Sequence, residues 1–158
     1  MSAENIEKLS HKDIQGKRYR SLDLSKKKIT GSSFFDCIFF DCRFSHTSFS
    51  DCRFEKCRFN NSDFSMARFS ETRIPDCSFS GCRMQGIDWS PLESKIGLKL
   101  DIKDSDLSYS SFIGMDISGS RLTGCKIRET DFSGAVLRKT AFKDSDLLRT
   151  VFEKTDLR

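Results

Sequence analysis

No stretch of this 158-residue chain approaches the roughly 18 consecutive apolar residues that a membrane-spanning helix needs. The opening, MSAENIEKLSHKDIQGKRYR, has no apolar core of the kind a secretory signal carries. Histidine is scarce: only His11 and His46 are present, and neither stands at an informative spacing from a nucleophile. No glycine-rich phosphate loop appears. Carboxylates are plentiful, yet they are interleaved with Lys and Arg, so no pair is set apart for acid–base work. An excess of one charge sign is also missing from most of the chain. Residues 1–30 hold eight bases against four acids, whereas the remainder holds nineteen of each. Such a neutral body steers little towards nucleic acid over long range. These absences predict a protein that is not an enzyme, holds no cofactor or metal, does not enter a membrane and does not bind nucleic acid directly. Seven cysteines without an export signal suggest a reducing, cytoplasmic setting. Their odd number argues against a full disulfide framework.

Apolar residues make up only 37% of the chain, and 15 of them are Phe. So thin a core requires very regular placement. Stepping by five from Leu24 to Trp89 meets fourteen apolar residues without a miss, and stepping from Ile102 to Leu157 meets twelve more. Thirteen Phe fall in this register, where chance would place about three: Phe34, Phe39, Phe44, Phe49, Phe54, Phe59, Phe64, Phe69, Phe79, Phe112, Phe132, Phe142 and Phe152. They are the expected core. The series also extends backward through Tyr19, Ile14 and Leu9. Two residues before most of the large ones stands a small one, and all seven cysteines occupy that position, as Cys37, Cys42 and Cys52 illustrate. Each five-residue unit therefore turns one large and one small side chain inward, spaced by two as on a short strand. A helix would repeat at i, i+3, i+4 and i+7 instead.

Units such as CRFEK, CRFNN, SDFSM, SDLSY and TDFSG resemble the pentapeptide repeat family from about residue 20 onward. The resemblance implies an all-β fold, a right-handed quadrilateral β-helix in which four units make one square coil. Residues 1–20 are then expected to be an N-terminal arm or cap, and residues 21–158 a single solenoid. The register breaks between Trp89 and Ile102, so residues 90–101, with Pro91 and Gly97, are expected to form a loop or irregular coil, with Leu98 and Leu100 rejoining the core.

Within that geometry several residues invite a functional reading. The cysteine spacing C-x4-C does not match paired zinc ligands, and Cys37, Cys57 and Cys77 stack one coil apart as small core residues. His46 falls at an outward corner. The position before the large residue is basic in the first half (Arg43, Arg53, Arg58, Arg68, Arg73, Arg83). In the second half it turns acidic (Asp101, Asp106, Asp116, Asp131, Asp146, Asp156). Stacking places Arg43, Asp63 and Arg83 in one column and Asp106, Lys126 and Asp146 in another. Phe35 and Phe40 face outward with Ile38 between them. Either the N-terminal arm covers them, with Ile6 and Leu9 in a short helix, or they meet a partner. Loops on rigid scaffolds carry function, so Pro91, Glu93 and Lys95 are further candidate partner contacts. An uncapped final coil exposes strand edges, which points to a homodimer through Leu147, Phe152 and Leu157 or to residues beyond Arg158. The resemblance also implies a choice of function. One is a protein-interaction scaffold with an unknown partner. The other is a mimic of duplex DNA that binds type II topoisomerases, DNA gyrase or topoisomerase IV, and protects them from quinolones. Mimicry needs an acidic wall, and here the repeat region is neutral.

Overall fold

The structure, a computed structural model, describes residues 9–94 and 97–158. The chain winds as a β-solenoid whose unit is a strand or bridge of up to three residues followed by a corner. Twelve short strands are regular enough to name: β1 (Asp13–Gln15), β2 (Arg18–Arg20), β3 (Lys28–Thr30), β4 (Ser33–Phe35), β5 (Ile38–Phe40), β6 (Ser48–Ser50), β7 (Arg53–Glu55), β8 (Arg58–Asn60), β9 (Arg68–Ser70), β10 (Ser78–Ser80), β11 (Asp101–Lys103) and β12 (Arg121–Thr123). All pairing is parallel. The first wall stacks β1, β4 and β7; the second stacks β2, β5, β8, β10, β11 and β12; the fourth stacks β3, β6 and β9. The third wall is a ladder of single bridges through Asp23, Arg43, Asp63, Arg83, Asp106, Lys126 and Asp146. The six strands of the second wall step through five turns, and bridges carry the winding on to Asp156.

All but the end units bury their large residue and turn its flanking residues outward, as the patterns of β4 and β9 show. Two residues after the large one, the chain enters the left-handed region and turns the corner. Asp36, Lys56, Met66 and Arg149 do so at φ of 51°, 54°, 57° and 59°. All nine glycines also have positive φ. Most corners therefore accept the left-handed cost that a Cβ brings, because the stack of coils fixes the path.

The core is a bundle of columns. On the second wall Tyr19, Phe39, Phe59 and Phe79 stack at centroid separations of 5.1, 4.9 and 4.9 Å, close to the spacing of adjacent strands. Phe44 and Phe64 stack at 4.6 Å on the third wall, while rings on neighbouring walls meet edge to face, as Phe49 and Phe54 do at 5.3 Å. Eleven of the thirteen in-register Phe are buried; Phe142 and Phe152, in the last coil, are half-buried.

The small positions do more than leave room. Their side chains donate hydrogen bonds to the carbonyl of a large residue twenty-three places earlier, one coil back. Thr47 Oγ1 reaches Leu24 O at 2.7 Å, Thr130 reaches Leu107 O at 2.9 Å and Thr155 reaches Phe132 O at 2.7 Å. All seven thiols make the longer sulfur equivalent, from Cys77 to Phe54 O at 3.1 Å to Cys37 to Ile14 O at 3.7 Å. These bonds give carbonyls along the core a side-chain donor.

Pairing reaches further towards the N-terminus than the boundary at residue 21 that the repeat suggested. Asp13 pairs with Ser33 and Arg18 with Ile38, so residues 13–20 are wound into the solenoid. Leu9 is buried in the core. The expected helical arm through Ile6 lies outside the described residues.

Candidate partner-binding surface

The register break builds the one departure from square winding. Phe59 pairs with Phe79, twenty residues on, but Phe79 pairs with Ile102, three residues later than that step. The three extra residues lie in the first wall. Trp89 begins the detour with a tight turn, Leu92 N donating to Trp89 O at 3.0 Å. Leu92 then bridges back to Thr72, and Leu98 N donates to Asp116 O at 2.8 Å. Leu92, Leu98 and Leu100 are buried, so the loop rejoins the core as the sequence suggested. Gly97 sits against Asp116 at φ 87°, where a Cβ would come within 3.2 Å of the Asp116 carboxyl carbon. The aromatic column of the fourth wall runs straight past the break: Trp89 stacks on Phe69 at 5.8 Å and on Phe112 at 5.5 Å.

Outside the core, the detour leaves an open groove of about 830 Å³ against the first wall, lined by Arg53, Arg73, Pro75, Leu92, Glu93 and Lys99 among others. Glu93 crosses it to take the Arg73 fork, at 2.9 Å from Nε and 2.6 Å from Nη2. Pro91 and Glu93 are exposed on this loop, and Lys95 lies outside the described residues.

The outward doublet occupies the second coil. Phe35 and Phe40 are half-buried, as is Ile38 between them. Their cover is cationic. The Arg20 guanidinium lies 4.4 Å from the Phe40 ring centroid and the Lys56 ammonium 5.2 Å from that of Phe35, within cation–π range. Sequence reasoning missed this pairing, although Arg20 and Phe40 stand one coil apart.

The charged walls form the expected columns, Arg43 beside Asp63 beside Arg83, and Asp106 beside Lys126 beside Asp146. Ion pairs link neighbouring coils, with Arg83–Asp63 at 3.0 Å, Arg121–Asp101 at 2.7 Å and Arg138–Asp156 at 2.7 Å. The acidic bias of the second half has a local cause that the sequence did not disclose. Asp106, Asp116, Asp131, Asp146 and Asp156 each accept a hydrogen bond from the main-chain N–H two residues on, at 2.8–3.1 Å. These are Asx turns. Ser118, by its side chain first and its main chain second, lowers the Asp116 carboxyl below its usual range. Asp146 is lowered too, chiefly by Arg128.

The cysteines are all buried and unpaired. Burial pushes the thiols of Cys42, Cys52 and Cys125 up, and that of Cys82 to about 11. His11 and His46 are exposed at corners, with φ of 55° each. Among the described residues, no group of three or more His, Cys, Asp or Glu side chains is arranged to hold a metal ion. At the other end, Leu147 and Phe152 are half-buried and Leu157 is exposed.

Four-walled parallel winding with a filled core, and with its variation confined to walls and one loop, defines a quadrilateral β-solenoid. Sequence profiles described as "pentapeptide repeat region" and "pentapeptide repeats (8 copies)" match residues 32–96 and 125–158. The chain belongs to the pentapeptide repeat family. No curated protein matches it. Among solved structures it is similar to a trypsin-treated form of QnrB1, a plasmid-mediated fluoroquinolone resistance protein, with a TM-score of 0.56 and 19% identity over 92% of this chain and 78% of that one. It also matches HetL, a pentapeptide repeat protein involved in heterocyst differentiation regulation from the cyanobacterium Nostoc, with a TM-score of 0.31 and 15% identity over 93% of this chain and 87% of that one. At these identities the likeness concerns the fold alone.

Proposed function

We propose that the protein is a non-enzymatic interaction scaffold, working in a reducing cytoplasm, whose partner engages the loop groove. The observation that supports this reading most is the contrast between a filled axis and one interrupted wall. Among the described residues, columns of rings and hydroxyls fill the axis, whereas the detour opens a groove of about 830 Å³ with a polar rim, larger than the recess of about 400 Å³ beside it on the same wall. Chemistry needs convergent polar groups in a pocket; here the arginines of the groove are held in ion pairs. The exposed apolar residues of the last coil, Leu148, Val151 and Leu157, favour a homodimer through that end, together with Leu147 and Phe152.

The second reading is a type II topoisomerase binder that protects gyrase from quinolones. Duplex mimicry asks for carboxylates in an unbroken row, while the third-wall column alternates in sign and Arg53 stacks on Arg73 in the first wall. We therefore rank it behind the scaffold. The test is quantitative capture of partners from lysate with the wild-type chain and with Glu93→Lys, followed by a gyrase supercoiling assay with and without a quinolone. The scaffold reading expects a captured protein that is lost with Glu93→Lys and no effect on supercoiling or on quinolone inhibition. Protection of gyrase would overturn that ranking, and absence of any specific capture would remove the scaffold reading. Sedimentation at micromolar concentration tests the dimer, and a monodisperse monomer would dismiss it.

A further inference from the structure

The doublet face carries more than the loop does. Outward positions on several other coils hold single apolar residues, such as Met66, Tyr109 and Ile113, which are ordinary on a surface. On the second coil three large apolar side chains adjoin: Phe35 ends β4, while Ile38 and Phe40 share the outward face of β5. The rows next to Ile38 and Phe40 are basic, whereas Phe35 pairs with Gln15 on one side and Glu55 on the other. Arg18 and Arg20 pair in register with Ile38 and Phe40 from the coil above, and Arg58 pairs with Ile38 from the coil below. Lys17 and Lys56 add to them, against the acids Asp36 and Asp41. The acids do not saturate the bases. Arg20 and Asp41 are 3.9 Å apart, as are Arg58 and Asp36, and all four side chains are about half exposed or more. Their guanidinium forks are thus open to bidentate carboxylates. Aromatic residues with arginine at their margin form the usual core of a protein interface.

We propose that this face, Phe35, Ile38 and Phe40 ringed by Arg18, Arg20 and Arg58, docks an acidic protein segment that carries apolar side chains between its carboxylates. The segment's carboxylates take the arginine forks, and its apolar side chains take the ring edges and Ile38. A single-stranded nucleic acid is the weaker fit. It would stack bases on open ring faces, but Arg20 and Lys56 already lie over those faces, and Asp36 and Asp41 repel phosphate. The proposal rests on the scaffold reading but places a contact on the second coil, where the first wall meets the second, rather than at the loop.

The experiment is fluorescence anisotropy with a short labelled peptide rich in Glu with Leu at intervals, its Lys-for-Glu counterpart, and oligothymidylate. The proteins are the wild type, Arg20→Glu/Arg58→Glu and Phe40→Ser, with circular dichroism and melting as folding controls; Phe35→Thr replaces Phe40→Ser if that variant does not fold. The expected result is saturable binding of the acidic peptide only, weakened at least about tenfold by the charge reversal and by the Phe substitution, as for a central interface residue. Three results overturn the proposal: no saturable binding of the acidic peptide, binding that the variants leave unchanged, or tighter binding of oligothymidylate. If Arg20→Glu/Arg58→Glu fails here while partner capture through Glu93 persists, the scaffold reading stands without this face.

Discussion

The stretch before the loop and the stretch after it follow one backbone path with two chemistries. Nine of the thirteen in-register Phe, six of the seven cysteines and ten of the twelve strands lie before Trp89. After Ile102 the columns are mostly Leu and Ile, the small positions are mostly Ser and Thr, and tight turns replace strands. In the first stretch the coils are held by stacked rings. Phe44 alone touches the rings of Phe39, Phe49, Phe59 and Phe64 at 4.6–6.1 Å. In the second, hydroxyls make most of the coil-to-coil bonds that thiols mostly make in the first, and five Asx turns stand against three at Asp23, Asp63 and Asp88. A repeat needs a large residue, a small one and a corner; which atoms serve each need is open. Stability in such stacks is nearly a sum over neighbours, so the two stretches answer differently to substitution.

The largest effect is expected at the rings. Phe44→Ala should cost about 3–5 kcal/mol by denaturant unfolding, and Ile127→Ala, on the same wall after the break, about 2–4 kcal/mol. Equal costs would remove the distinction between the stretches. Next come the hydroxyls. Thr130→Val keeps the shape but leaves Leu107 O without its side-chain donor, at an expected cost of about 1–3 kcal/mol. A neutral outcome would mean that the coil-to-coil bonds contribute little. Corners are third. Gly114→Ala should destabilise by about 1 kcal/mol through its backbone alone, since nothing lies near the new methyl. Gly124→Ala should cost about as much, because the Asp104 Oδ1 that its methyl meets is the free end of an exposed side chain that can swing aside.

The smallest effects are those of pH. Asp116 and Asp146 have lowered carboxyl values in the folded state. Their contribution is full above the ordinary carboxylate value of 3.8 and is lost as pH falls through the lower folded values. Buried thiols act at the other extreme. Cys82 is raised from 9.0 to about 11, so its contribution is full below pH 9.0 and is lost as pH rises towards 11. Melting scans of the full chain should therefore show acid loss sensitive to Asp116→Asn and alkaline loss sensitive to Cys82→Ala. No dependence on either substitution would contradict these assignments.

Much of this fold is written in the five-residue spacing, because that spacing states directly which side chains face the axis. Phe54, Phe59 and Phe64 point inward for that reason, and Leu98 and Leu100 return to the core where their apolar character placed them. The corners were less legible. Lys56 and Arg149 look like solvated surface residues, and only the closed path of the coil drives them to positive φ. The carbonyl-binding role of Cys and Thr was hidden because smallness alone accounts for the position. Ile14 and Tyr19 lack small partners, having Lys12 and Lys17 two residues before them, so their strands passed for an arm. The cation cover of Phe35 and Phe40 depends on residues a full coil away, which a local reading of charge does not connect.

The single tryptophan offers the most direct test of the filled square axis. Trp89 is fully buried and stacked between Phe69 and Phe112 across the register break. Its fluorescence in the native chain should be blue-shifted and resistant to acrylamide, changing only when the protein unfolds. Emission at the wavelength of free indole in water, quenched readily in the native state, would mean that the columns do not continue past the loop and that the winding described above is wrong.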